Sequence, residues 1–294
     1  MAKGNFSACL LWTFLMALGI GFLFAQETQT AQPAPPQYGW KNEIIGNLNL
    51  TQASFSNWEQ GGENTLAWQT NLTTSFTLDQ EKYNWKNTGK FTLGFAKIAG
   101  TEARKSSDEI SIESLLTRKV SKLLNPFVSV TAKTQFLSGF QYPNDTTKVK
   151  ISKFMDPGYF TQSIGVGYSP NEVVLTRIGF TMKETITSDF PVPFADDPST
   201  RNKIEKTKIE PGLSSITDVK KKFAENILLT SRLDIFSDFE AIKKIDVLWE
   251  NDLTFKLTKL VNVNFEFDLL YDRDISTRRQ IRQVLSVGFT YTFL

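Results

Sequence analysis

A two-residue alternation of apolar and polar side chains, sustained over long segments, constrains the fold of this chain more than any other feature. Between Asn64 and Leu78, the even-numbered positions are mostly apolar and the odd-numbered positions are mostly polar. This is the period of a β-strand that has one face in an apolar environment. Strands of soluble proteins average about five or six residues, whereas a tilted strand that crosses a bilayer needs about nine to eleven. The length of the segment therefore favours a transmembrane β-barrel.

The same alternation recurs along the chain and predicts twelve strands. The pattern is clearest in the last three segments, near the C-terminus. An even number of strands is what a closed bacterial barrel requires. We therefore expect an all-β fold, a transmembrane antiparallel up-and-down β-barrel of about twelve strands that occupies residues 39–294. The predicted strands lie near residues 44–55, 64–78, 83–95, 110–120, 127–137, 160–168, 174–182, 213–222, 227–236, 245–257, 261–271 and 281–293.

The connections between the predicted strands alternate between short and long. Long polar connections are expected at 98–107, 138–158 and 188–211, and the connections between them are tight turns. Outer-membrane barrels have short periplasmic turns and longer extracellular loops. Aromatic residues are expected at both ends of the outward-facing strands, which is the distribution found at membrane interfaces.

The N-terminal segment has the order of a secretory signal peptide. Lys3 precedes an apolar run from Leu10 to Phe24, and the small residue Ala25 follows that run. We predict a signal peptide over residues 1–25 and a polar, proline-containing linker over residues 26–38. Cys9, the single cysteine, falls in the segment that would be removed. These features predict an integral protein of the bacterial outer membrane, in contact with outer-membrane lipid.

Two short stretches resemble known outer-membrane proteins. The C-terminal strand resembles the signal that the barrel-assembly machinery recognises, although Leu294 follows the last aromatic residue. Residues 49–64, which include Asn49, Trp58, Gly61 and Gly62, resemble the first hairpin of a Bacteroidetes outer-membrane family known as domain of unknown function 3078. The likeness extends more loosely over the rest of the mature chain. It implies an outer-membrane barrel but no activity, and from the residues alone the two glycines predict a turn.

Composition excludes several chemistries. The chain has no histidine, which excludes Ser-His-Asp and Cys-His catalysis and histidine-ligated zinc or haem. Its net charge of +2 gives no reason to expect nucleic acid. Glu250 and Asp268 could in principle form an acid and base pair, but such a pair is not diagnostic without a cleft. We expect no enzymatic activity, no cofactor and no bound metal.

Charged residues on the face opposite the apolar one are predicted to line the lumen. Pairing across the turn near Lys259 would place Asp252 beside Glu266 and Glu250 beside Asp268. Like charges that face each other destabilise a sheet, so we expect Arg232 and Arg282 on the flanking strands to supply counter-charge. Either the charges form a salt-bridged interior that makes the barrel rigid, or they form a stripe that selects a passing solute. Further charged residues predicted to face the lumen are Glu109, Glu113, Lys133, Arg177, Lys183 and Asp234.

Two functions follow from this lumen. The first is a narrow channel or passive transporter for small polar solutes. The second is a structural or partner-binding barrel that uses its long extracellular loops or its linker to hold a protein. The width of the lumen would separate these two functions, as would co-purification of a partner.

Overall fold

The computed structural model describes residues 38–54, 56, 63–144, 147–197, 200, 203–240, 245–272 and 278–294. The predicted signal peptide, and the predicted linker apart from Tyr38, lie outside these residues. No helix among the described residues is long and apolar enough to span a membrane. The secondary structure consists of β-strands, and every pairing between them is antiparallel.

The described residues contain fourteen strands in chain order. The strands are β1 (Gly39–Ala53), β2 (Thr65–Asp79), β3 (Tyr83–Ile98), β4 (Arg104–Arg118), β5 (Leu124–Thr134), β6 (Gly139–Gln141), β7 (Val149–Ser152), β8 (Gly158–Tyr168), β9 (Val174–Ile186), β10 (Thr207–Ala224), β11 (Ile227–Asp238), β12 (Ile245–Lys256), β13 (Val261–Tyr271) and β14 (Gln280–Thr292).

Twelve of these strands form a closed barrel. Each barrel strand pairs with the next one along the chain, and β1 closes the barrel by pairing with β14, from Ile45 opposite Thr292 to Leu50 opposite Val287. The short strands β6 and β7 form a separate hairpin, so β5 pairs directly with β8. The predicted fold class, a closed antiparallel barrel of about twelve strands, is confirmed.

The predicted strand starts are wrong at three places. The strand predicted from residue 44 begins at Gly39, the one predicted from residue 110 begins at Arg104, and the one predicted from residue 213 begins at Thr207. The connections predicted at 98–107 and 188–211 are correspondingly shorter. Residues 104–109 are polar on both faces, so they carry no alternation, yet their backbone pairs with β3. The hairpin of β6 and β7 also lies inside a segment predicted to be a loop.

The barrel has the reverse of a soluble protein's distribution of side chains. Large apolar residues are exposed on its outer surface, and among them Phe180 is 64% exposed and Leu285 is 65% exposed. Buried side chains are mostly polar and bond to one another. Thr181, for example, contacts the hydroxyl of Ser163 at 2.8 Å. An apolar exterior around a polar interior is the arrangement of a barrel that crosses a bilayer.

Two glycines allow β8 and β9 to approach closely. Gly165 and Gly179 lie opposite each other in the register. A Cβ atom on Gly165 would lie 2.1 Å from the carbonyl oxygen of Ile178, and one on Gly179 would lie 2.4 Å from that of Ile164. Any side chain here would force the two strands apart, so the close approach of β8 and β9 depends on this glycine pair.

Candidate functional site: the barrel lumen

The barrel has two distinct ends. Tight turns at 80–82, 119–123, 169–173, 225–226 and 257–260 all lie at one end, together with the start of β1 and the end of β14. We call this the turn end. The two longest connections, 135–157 and 187–206, lie at the opposite end, which we call the loop end.

Four charged residues form a compact cluster inside the barrel, towards the turn end. Arg177 donates to the carboxylate of Glu113 at 2.6 Å and to that of Asp218 at 3.0 Å. Arg232 contacts Glu113 at 3.0 Å and Asp218 at 3.4 Å. The side chain of Arg177 is only 2% exposed. We call these four residues the arginine cluster.

The arginine cluster crosses the lumen. Glu113 lies on β4 and Arg232 lies on β11, five strands away around the barrel. A circular barrel of twelve tilted strands would be roughly 24 Å across, farther than one arginine and one glutamate can span. The cross-section is therefore flattened at this level, and ion pairs join its two walls.

A second set of charges lies on β12 and β13. Glu250 is opposite Asp268, and Asp252 is opposite Glu266, which is the register that the sequence predicts. We call these four carboxylates the acidic stripe. Arg282 on β14 contacts Asp268 at 2.6 Å and Glu266 at 3.5 Å. Among the described residues, Asp252 has no ion pair.

The second expected counter-charge comes from a different residue. Arg232 lies opposite Glu250 in the register, but its guanidinium pairs with Glu113 and Asp218 in the arginine cluster. Lys90 on β3 instead contacts Glu250 at 3.3 Å, and β3 is five strands from β12. Sequence neighbours cannot reveal this contact, because the two residues are 160 positions apart. The alternation of β3 places Lys90 on the inward face, and this was the feature of the sequence that could have identified it as a lumen residue.

Ion pairs continue from Lys90 along the opposite wall. Glu109 accepts from Lys90 at 3.5 Å and from Lys133 at 2.8 Å. A chain of alternating charge therefore runs from Lys133 through Glu109 and Lys90 to Glu250. This chain leaves the acidic stripe facing two lysines across the flattened lumen.

Neutral amides form a further part of the interior. Asn264 donates to Asn49 at 3.0 Å, and Asn262 donates to Asn264 at 2.8 Å. Gln69 donates to Glu266 at 3.0 Å and so joins the amides to the acidic stripe. Asn49, part of the stretch that resembles a known hairpin, is thus a buried lumen residue. Trp58, Gly61 and Gly62 of the same stretch lie outside the described residues.

The two long connections are tied together at the loop end. The carboxylate of Asp156, which is 1% exposed, accepts backbone N–H groups from Ser188 at 2.9 Å and from Asp189 at 2.7 Å. Phe194, from the same connection as Ser188, lines a cavity of about 200 Å³ together with the lumen residue Lys133. Residues 187–197 therefore reach over part of the lumen mouth, and we call them the lid.

An ion pair outside the strands adds to the attachment of the lid. Lys153 donates to Asp189 at 2.5 Å. This hydrogen bond holds the pKa of Asp189 below its usual range. Asp189 therefore remains charged at neutral pH and keeps its attraction to Lys153. Neither the lid nor the role of Asp156 was predicted, because an acidic residue in a polar connection carries no pattern that marks it as buried.

Comparisons with known proteins find one family model that matches part of the chain and several solved structures that are distantly similar to it. Residues 50–140 match the model of a family described as a protein of unknown function (DUF3078). A comparison with curated proteins finds no match. The residues that carry the predicted family resemblance overlap this match, which covers less than half of the chain.

Three solved structures illustrate the distant similarity. The translocator domain of the autotransporter NalP from Neisseria meningitidis has a TM-score of 0.40 and 11% identity, over 97% of this chain and 95% of that one. An outer membrane channel from Pseudomonas putida F1 has a TM-score of 0.42 and 6% identity, over 89% of this chain and 99% of that one. The NanC porin has a TM-score of 0.40 and 7% identity, over 85% of this chain and 98% of that one.

Proposed function

We propose that this chain is an integral β-barrel of a bacterial outer membrane. Its support is the apolar exterior of a closed barrel whose strands are eleven to eighteen residues long, enough to cross a bilayer. Exposed aromatic rings at the turn end, including Trp40, Trp85 and Tyr291, lie where an interface band is expected. The signal peptide, an origin in Bacteroidetes and assembly through β14 stay predictions from the sequence.

We further propose that the barrel is a narrow channel or passive transporter for small polar solutes. The observation that carries this proposal is the acidic stripe, which faces Lys90 and Lys133 across a flattened polar lumen. Opposed charges at a constriction replace part of the hydration shell of a passing solute and orient its dipole. The ion pairs that join the walls favour ions and small molecules over large solutes.

Single-channel conductance of the refolded mature chain in a planar bilayer tests this function. We expect steady openings with a preference for cations. The preference should fall when the four carboxylates of the acidic stripe are neutralised. The test variant carries Glu250→Gln, Asp252→Asn, Glu266→Gln and Asp268→Asn.

A matched variant controls for loss of negative charge in general. It neutralises four exposed carboxylates outside the lumen and should keep the wild-type preference. A correctly folded barrel that stays silent even after the lid is released would contradict the channel proposal. The control carries Glu63→Gln, Glu102→Gln, Glu225→Gln and Glu240→Gln.

A structural or partner-binding barrel is the second candidate. It is favoured by the ion pairs across the lumen and by the lid, which together would obstruct a pore. On this alternative, the barrel stays silent even after the lid is released, and the loop end holds a protein partner. An enzymatic role is not proposed, since Glu250 and Asp268 are engaged by Lys90 and Arg282.

A further inference from the structure

The cavity at the loop end has the size of a site for a small molecule. It has a volume of about 200 Å³ and lies between the lumen residue Lys133 and Phe194 of the lid. An engineered protein cavity of about 150 Å³ holds one benzene molecule. Pockets for drug-sized ligands begin at about 300 Å³. The cavity therefore has room for a single ring, or a branched chain of that size, with one small polar group.

Much of the polar lining of this cavity already has partners within the protein. The Asp108 carboxylate, whose side chain is buried, accepts from Lys105 at 2.7 Å and from two backbone N–H groups. The side-chain amide of Gln135 donates to the carbonyl oxygen of Lys153 at 2.9 Å, and its oxygen accepts from Ser152 at 3.0 Å. These contacts hold the cavity wall in place and leave Asp108 and Gln135 occupied.

The Glu109 carboxylate in the cavity wall is occupied as well. Its Oε2 is 2.8 Å from Lys133 and its Oε1 is 3.5 Å from Lys90. Asp272, whose charge acts on the nearby Tyr159, is also engaged in an interaction of its own. A cationic ligand at Glu109 would meet two ammonium groups and be repelled by them. The cavity is therefore unsuited to a cation.

Two neighbouring side chains in the cavity wall have hydrogen-bond donors to spare. Lys133 and Tyr159 lie opposite each other on β5 and β8, so their Cβ atoms are about 5 Å apart. An ammonium group has three N–H donors, and Glu109 is the one described residue that pairs with Lys133. The Tyr159 hydroxyl has no hydrogen bond to any residue that the structure describes. One cationic donor and one neutral donor are thus available to a ligand.

The apolar part of the cavity lies on the side of the lid. It consists of Phe194, Pro157 and the ring of Tyr159. Phe194 is held there because Asp156 binds the backbone of the lid. Small-molecule sites typically combine apolar and aromatic surface with a few well-placed polar groups. The lining therefore fits a ligand that has one anionic end and an apolar body.

We propose that this cavity binds a small monocarboxylate whose apolar body is about the size of a benzene ring. The carboxylate would accept from the Lys133 ammonium and the Tyr159 hydroxyl, and the body would pack against Phe194. Hydrogen bonds to a charged acceptor are about twice as strong as those to a neutral one, so a carboxylate binds better than an alcohol of the same shape. The site goes beyond channel activity, because it can hold a molecule whether or not the barrel conducts.

Equilibrium dialysis of radiolabelled benzoate tests this site. The refolded mature chain is placed in lipid nanodiscs, and empty nanodiscs give the background. Benzyl alcohol and benzylamine, a neutral and a cationic molecule of similar size, serve as competitors. We expect saturable binding of benzoate, competition by benzyl alcohol that is at least about tenfold weaker, and no competition by benzylamine.

Variants of the two donors test the assignment to these residues. Lys133→Met and Tyr159→Phe should each lower the affinity for benzoate about tenfold or more. Lys183→Met is the matched control, because Lys183 is a lumen lysine that also pairs with one carboxylate at 2.8 Å but lies outside the cavity lining. It should bind benzoate like the wild type. Heat-modifiable migration on a gel verifies that each variant is a folded barrel.

The remaining outcomes separate this proposal from the proposed channel function. Absence of saturable benzoate binding would overturn the site and leave the channel proposal to the conductance measurement. Competition by benzylamine as strong as that by benzoate would contradict a carboxylate site. Undiminished binding in Tyr159→Phe or in a folded Lys133→Met, or an equal loss in Lys183→Met, would overturn the assignment to these two donors.

Discussion

At the scale of single residues, the interior of this barrel depends on paired charges rather than on apolar packing. Arg177 is almost completely buried and contacts Glu113 and Asp218. Removing one partner of a buried ion pair leaves the other charge without compensation. Arg282 pairs with carboxylates as well, but its side chain is 41% exposed, so water screens the charges that its removal would leave.

We therefore expect Arg177→Met to lower the free energy of unfolding by about 3 kcal/mol. The matched Arg282→Met should cost about 1 kcal/mol or less. Urea unfolding of the barrel in lipid vesicles measures both changes. Equal losses in the two variants would show that burial does not determine the contribution of these pairs.

At the scale of elements, the sequence predicts strands wherever one face is apolar. The last three barrel strands lie within a few residues of their predicted bounds. The start of β4 was not predicted, because this part of the strand extends beyond the apolar band and is polar on both faces. The lid was not predicted for a related reason. Its attachment includes backbone N–H groups that donate to Asp156, and such contacts depend on tertiary structure alone.

Asp156→Ala should release the lid. The substitution leaves the N–H groups of Ser188 and Asp189 without their acceptor, so we expect their amide hydrogens to exchange at least about tenfold faster. Conductance should rise in the same variant if the lid obstructs the mouth. Asp189→Ala is the control, because it removes only the contacts of an exposed carboxylate and should change exchange little. Unchanged exchange in Asp156→Ala would contradict the described role of Asp156.

At the scale of the whole molecule, strand number and closure could be predicted, but the arrangement of the lumen could not. Alternation shows which residues face inward, and it placed the acidic stripe on neighbouring strands. It does not show which charges meet across the interior. Lys90 meets Glu250, and Glu113 meets Arg232, only because the barrel is flattened. That shape depends on all twelve strands together.

The central claim is a wet, polar lumen inside a lipid-facing wall, and a cysteine scan along β12 tests it directly. The mature chain predicted from the sequence has no cysteine, so each substitution supplies a single thiol. In reconstituted vesicles, Glu250→Cys and Asp252→Cys should react with a water-soluble thiol reagent. Trp249→Cys and Leu253→Cys should react only with a lipid-soluble one. Reaction of all four thiols with the water-soluble reagent, or of none, would contradict the account.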